Sequence, residues 1–143
     1  MIFSQTVEYA LRAAVLLADV EREAKTTQQI AEIARIPPDY LSKILQNLRR
    51  AGIVASRRGV NGGFTLERPP SEITLLEVVN AIDPLERIRT CPLKLRAHGT
   101  NLCPLHRKLD QSIASVEGTL ATSTLEELLN TGAKSHPLCD GAR

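Results

Sequence analysis

Val7, Ala10, Leu11, Ala14, Val15, Leu17 and Ala18 recur at helical spacing and predict a first, largely buried helix from about Ser4 to Val20. Thr26 followed three residues later by Gln29 has the form of a capping box and opens a short helix over QQIAEIAR, with Ile30, Ala31, Ile33 and Ala34 inward and Arg35-Ile36-Pro37 as its break. In PPDYLSKILQNLRRAG, Leu41, Ile44, Leu45 and Leu48 fall at i, i+3, i+4 and i+7, and Gly52 marks the stop. Asp39, Ser42, Lys43, Gln46, Asn47, Arg49 and Arg50 lie largely off that stripe, so one face is core and the other polar and cationic. IVASRR and FTLER then read as two short strands, joined through Asn61, Gly62 and Gly63, residues that tolerate positive φ. Phe64 and Leu66 are expected to anchor this hairpin to the core.

Pro69 and Pro70 close the hairpin, and Thr74 with Glu77 forms a second capping box, opening a helix over ITLLEVVNAID. After a loop from about Pro84 to Asn101, Leu102, Leu105, Leu109, Ile113, Val116 and Leu120 step by three or four residues. They predict a helix over 103–122, about 30 Å long. Two short helices, the second with a polar outer face, followed at once by a basic hairpin, make a winged helix-turn-helix; the fold is mainly α with a small β-hairpin. The long helix reads most simply as a dimerisation element, the other possibility being that it packs on its own domain. The expected divisions are a DNA-binding domain over 1–83, a cysteine-containing sensor loop over 84–101, a dimerisation helix region over 102–130 and a flexible tail over 131–143.

Composition sharpens this in three respects. Aromatic residues are only 3% of the chain and Trp is absent, so the core must be built from aliphatic side chains, which suits packed helices. No apolar run approaches the ~20 residues of a membrane span, and the first residues lack a basic leader and a cleavage site, so a cytoplasmic protein with no membrane partner is expected. The net charge is only +2, but its distribution is uneven: residues 35–68 hold Arg35, Lys43, Arg49, Arg50, Arg57, Arg58 and Arg68 against Asp39 and Glu67. Such a concentration is the footprint of a polyanion binder. A winged helix used to bind protein is the alternative.

EYALRA in the first helix, DYLSKILQNLRRAGIVASRRGVNGGF across the second helix-turn-helix helix and the hairpin, and a cysteine segment ending CPLH together resemble a family of winged-helix transcription regulators. The family includes the iron-sulfur regulator IscR, the nitric-oxide sensor NsrR, the iron regulator RirA and the cysteine-metabolism regulator CymR, and the resemblance covers residues 1 to about 130. It implies a homodimer on palindromic promoter DNA, with the helix over about 38–51 in the major groove and the hairpin tip in or near the minor groove. Carried onto this chain, the resemblance assigns DNA contact to Tyr40, Ser42 and Lys43 and, at the wing, to Arg58, Gly59, Asn61, Gly62 and Gly63. Tyr40 equally suits a packing role, and Asp39 suits the ordering of its helix start.

The cysteines at 91, 103 and 139 are odd in number and do not form a secreted disulfide framework; they read as metal ligands or sensing thiols. Cluster-binding relatives present three cysteines in this segment, whereas here Cys91 and Cys103 match and Ala97 stands at the middle place. Pro104 suits the first position of a helix, making Cys103 its N-cap, and His106 lies one turn inside. By resemblance, the ligand set is Cys91, Cys103, His106 with His98 as the alternative, and Glu8 of the partner subunit, holding a [2Fe-2S] cluster. Zinc on Cys91, Cys103 and a histidine, with Cys139 as a further candidate, a metal-free thiol switch, and a purely structural loop are the other readings. Cys103 and His106 as a nucleophile and base lack an orienting group and an oxyanion site, so no enzyme is expected. The function expected is a transcription regulator, typically a repressor, whose DNA affinity follows the state of the Cys91–His106 segment.

Overall fold

The computed structural model describes residues 1–19, 23–99, 101–130 and 137–138; Cys139 and most of the expected tail lie outside them. The first helix, α1 (Gln5–Asp19), is buried along most of its length, with Val7, Ala10, Ala13, Ala14, Val15, Leu16 and Leu17 in the core. Small residues at 10, 13 and 14 let neighbours approach closely, and α1 accordingly touches α2 (Thr27–Ala34), α3 (Pro38–Arg50), α4 (Leu75–Ile82) and α6 (Leu125–Leu129). The Thr26–Gln29 box closes in both directions, Gln29 N–H to the Thr26 hydroxyl at 3.2 Å and Thr26 N–H to the Gln29 side chain at 2.9 Å. Arg35 ends α2 in the left-handed region, φ 54° and ψ 52°.

Leu41, Ile44, Leu45 and Leu48 of α3 are at most 1% exposed, each contributing on the order of 2 kcal/mol of burial. Arg49 and Arg50 occupy its last turn, where cations suit the helix dipole. Strands β1 (Val54–Arg57) and β2 (Gly63–Leu66) pair antiparallel in the register Val54↔Leu66 to Arg57↔Gly63. Phe64 and Leu66 pack against the core as expected, although the most buried residue of β2 is Thr65. Lys25 adds one more rung: its N–H donates to the Phe64 carbonyl at 3.0 Å and Phe64 N–H donates back at 2.7 Å. That rung needs Gly63, whose φ is +140° and whose missing Cβ would collide with the Lys25 carbonyl and come within 2.9 Å of the Thr26 nitrogen.

A 3-10 turn (Pro70–Glu72) leads into α4, whose Thr74–Glu77 capping box also closes. Arg68 joins it, donating to the Glu77 carboxylate at 2.6 Å and to the Glu72 carbonyl at 3.0 Å. Burial pushes the Glu77 carboxyl up, but the Thr74 N–H and Arg68 outweigh it and hold the group below the ordinary value.

The region 102–130 holds two helices where one was expected. α5 (Pro104–Thr122) matches the expected 103–122 and packs on α4, and after Ser123 and Thr124 the short α6 follows. Thr124 caps it, accepting from the Glu127 N–H at 3.2 Å, a Thr-x-x-Glu signal present in the sequence. Leu75 N–H donates to the Ser123 carbonyl and Leu125 N–H to the Ile73 carbonyl, and Leu125 and Ile73 are both fully buried. The segment 123–125 thereby completes the core of the helix-turn-helix. No side chain of α5 is fully buried, and Leu105 and Leu109 stand 64% and 47% exposed.

Candidate nucleic-acid interface and cysteine segment

Burial of the leucine and isoleucine stripe fixes which way α3 turns. Asp39, Ser42, Lys43, Gln46, Arg49 and Arg50 are exposed on its outer side and Asn47 is half-buried. Arg57 and Arg58 follow on the hairpin, also exposed, and among the described residues none of these five cations makes an ion pair. Five unneutralised cations on one short stretch are a favourable arrangement for phosphate.

Gly59 has φ +107° and Gly62 is packed so that a Cβ would meet the Arg57 carbonyl at 2.6 Å and the Gly59 carbonyl at 2.8 Å, so the two, with Gly63, shape the turn. Asn61 is exposed at the tip. Beside it stands Val60, fully exposed at 104%. An apolar residue at the crown of a basic hairpin was not among the sequence candidates, and its alternation with polar neighbours offered no signal.

Tyr40 has both of its expected characters: it is 58% exposed at the start of α3, and its ring lies 6.3 Å from that of Tyr9, tilted by 56°. Behind it stands a residue the sequence did not single out. The Arg12 guanidinium lies 5.3 Å above the Tyr9 ring, bonds Glu8 at 2.8 Å, and donates from Nη1 to the carbonyls of Ala34 at 3.2 Å and Arg35 at 3.1 Å. These contacts cross 22 and 23 residues, so no local pattern encodes them. Glu8, expected to serve a partner subunit's metal, is here engaged with Arg12.

The cysteine segment divides into two thiol–imidazole pairs. Cys91 Sγ lies 3.6 Å from His98 Nδ1, and Cys103 Sγ lies 3.3 Å from His106 Nδ1. Cys91 is buried and Cys103 half-buried, the latter at the N-cap of α5 as expected, with Pro104 at the first helical position. Among the described residues, no three His, Cys, Asp or Glu side chains come together in a group able to hold a metal ion. The donors are of a kind that suits iron-sulfur or zinc, but as arranged in one chain they do not fit the four-ligand set expected from the resemblance.

The linker from α4 is fastened to α5 by Arg87, which grips Asp110 through two bonds of 2.7 Å while Ile88 N–H donates to the same carboxylate at 2.9 Å. The Arg87 hydrogen bonds, against the cost of burial and with help from the Ile88 N–H, bring the Asp110 carboxyl down from 3.8 to about 2. A depressed carboxyl stabilises the fold fully above its ordinary value and loses that contribution as pH falls toward the folded value. Asp110→Asn should therefore lower the melting temperature at pH 7 and converge with the unsubstituted chain near pH 2. Thermal unfolding at both pH values checks this, and an equal difference at both would contradict it.

No helix among the described residues is long and apolar enough to cross a membrane. A family profile described as "Rrf2: Iron-dependent Transcriptional regulator" matches residues 3–131. A protein of Aquifex aeolicus (strain VF5) named as an HTH-type transcriptional regulator is 30% identical over 137 residues, covering 94% of this chain and 95% of its own. Another so named, Rv1287 of Mycobacterium tuberculosis (strain ATCC 25618 / H37Rv), is 39% identical over 128 residues, covering 85% and 80%. Among solved structures, CymR of B. subtilis, described as the global cysteine regulator, superposes with a TM-score of 0.76 at 25% identity, covering 93% of this chain and 99% of its own.

Proposed function

Since this chain belongs to the Rrf2 family of transcriptional regulators, as the match over residues 3–131 shows, we propose that it acts as a homodimer on a two-fold symmetric DNA site, with α3 in the major groove and the hairpin on the adjacent backbone or minor groove. The relatives are named as transcriptional regulators and not as enzymes. The observation that carries the DNA geometry is the run of five exposed cations, Lys43, Arg49, Arg50, Arg57 and Arg58, flanking a buried stripe that orients them outward. Tyr40, Ser42 and Lys43 present the start of α3 to base edges; Arg58 takes a phosphate; Gly59, Asn61, Gly62 and Gly63 let the backbone at the tip come close.

Arg58→Ala should weaken duplex binding across sequences and reduce the slope of log affinity against log salt by about 2, the share of one phosphate contact from each protomer of the homodimer. A variant with unchanged affinity and unchanged slope would remove Arg58 from the interface. Binding without salt dependence in the unsubstituted chain would favour a protein partner instead.

The exposed leucines of α5 support pairing of two such helices, and a two-fold symmetric site then requires the two copies of α3 to lie about 34 Å apart, one turn of DNA. The Cys91–His106 segment lies beside the start of that helix and is proposed as the point where an effector acts, by favouring one dimer geometry over another. The relatives' descriptions, iron-dependent in one case and a cysteine regulator in the other, point to iron or sulfur chemistry as the class of signal. A [2Fe-2S] cluster would need Cys91, Cys103, a histidine and Glu8 of the partner subunit to converge. Iron, sulfide and zinc analysis of anaerobically purified protein separates a cluster, a zinc site and a metal-free thiol switch.

A further inference from the structure

We propose that Arg12 is the positioning residue of the DNA-reading unit: from α1 it sets the angle at which α3 leaves the helix-turn-helix turn. The proposal rests on the reading of α3 as the DNA-reading helix. Three observations carry it. First, α3 lacks a side-chain cap at its start, because Pro37 occupies the N-cap and Pro38 the first turn. With the buried stripe fixing which face of α3 turns inward, a start without a side-chain cap leaves the geometry of its first turn to contacts from outside the helix. Second, that turn is held by Arg12, whose Nη1 bonds the carbonyls of Ala34 and Arg35, the last groups of α2 and the residue in the left-handed region. Third, the same guanidinium lies over Tyr9, and the Tyr9 ring meets that of Tyr40, the exposed residue in the first turn of α3. One planar cation thus touches both the turn before α3 and, through a ring pair, the first turn of α3 itself.

Glu8 holds the cation from the other side through Nε at 2.8 Å, which leaves Nη1 for the two carbonyls. Only a guanidinium can do all of this together. A lysine ammonium is a point charge on a flexible stem; it can retain Glu8, but it has no planar fork to bridge two carbonyls while stacking on a ring. Arg12→Lys is therefore the informative variant and Arg12→Ala the severe one.

The prediction concerns discrimination more than stability. A duplex selected by the unsubstituted chain from a random-sequence library, and a scrambled duplex of equal length and composition, serve as probes. Arg12→Lys should stay folded, melting a few degrees lower because the carbonyl bonds and the ring contact are lost, and should bind the scrambled duplex with unchanged affinity and salt slope, since it removes no phosphate contact. Its affinity for the selected duplex should fall about tenfold, the scale of one charged hydrogen bond. Both tyrosines of the chain lie in this cluster and the chain has no Trp, so intrinsic emission reports on it directly and should change in Arg12→Lys.

A folded Arg12→Lys whose preference for the selected duplex equals that of the unsubstituted chain overturns the proposal. Arg58→Ala, run beside it, distinguishes the two ways of failing. If Arg58→Ala lowers the salt slope and Arg12→Lys leaves the preference intact, Arg12 is only a structural residue. If neither has an effect, or the unsubstituted chain selects no duplex, the reading of α3 and the hairpin as the DNA surface falls, and the role of Arg12 with it.

Discussion

Gly63→Ala is expected to destabilise the fold by about 3 kcal/mol, which for a chain of this size lowers the melting temperature by roughly 10 °C, and to abolish specific DNA binding. A φ of +140° costs a non-glycine residue about 1–3 kcal/mol. The added methyl also runs into backbone, the Lys25 carbonyl and the Thr26 nitrogen, which no rotamer change can move aside. Relief requires the Lys25–Phe64 rung to open, and two backbone hydrogen bonds of about 1 kcal/mol each go with it. Gly59→Ala is the matched comparison, because its φ is +107° but a Cβ there meets nothing within 4 Å. It should cost only the conformational part, about 1–3 kcal/mol, with no steric collision and no lost rung added to it. Unfolding curves of the two variants decide the matter: if Gly63→Ala is no worse than Gly59→Ala, the close approach of Lys25 does not govern the hairpin.

Leu125→Ala should cost a further ~3 kcal/mol, within the usual 2–5 for removing a fully buried leucine. Its effect is expected on the helix-turn-helix, some 80 residues earlier in sequence, since Leu125 belongs to the same core as Leu41, Ile44 and Leu48. A chain ending after residue 122 should accordingly lose cooperative unfolding, although it keeps every residue of α3 and the hairpin. Chemical denaturation monitored by far-ultraviolet circular dichroism tests both. A truncated chain that unfolds as steeply as the whole would show that α1 to α4 close a core of their own.

These two positions also mark the boundary of what the sequence discloses. The caps at Thr26 and Thr74, the four-residue stripe of α3 and the Asn61-Gly62-Gly63 turn are local signals, and each element they predict is present within a residue or two. The start of α6 also carries a local signal, Thr124 with Glu127, which lies beyond the helix over 103–122 that the leucine stripe predicts. Lys25 beside Gly63, and Arg12 beside the end of α2, are contacts between segments distant along the chain, and no period or spacing announces them. The cysteine segment shows the same limit in another form. Residue types identified Cys91, His98, Cys103 and His106 as donors, but only coordinates show that they sort into two pairs, 7 and 3 residues apart in sequence.

The fastening of α5 by Arg87 and Asp110 has a mechanical meaning. Asp110 sits at the end of the second turn of a 19-residue helix, and the other mounting, the Leu75–Ser123 hydrogen bond, lies just past its last turn. At 1.5 Å per residue the arm between the two mountings is about 20 Å and the overhang carrying Cys103 about 10 Å. The far end of that arm abuts Ile73 and Leu125, so the thiol–imidazole pair at Cys103 and the core beneath α3 lie at opposite ends of one continuous helix, clamped at Asp110 and seated on α4.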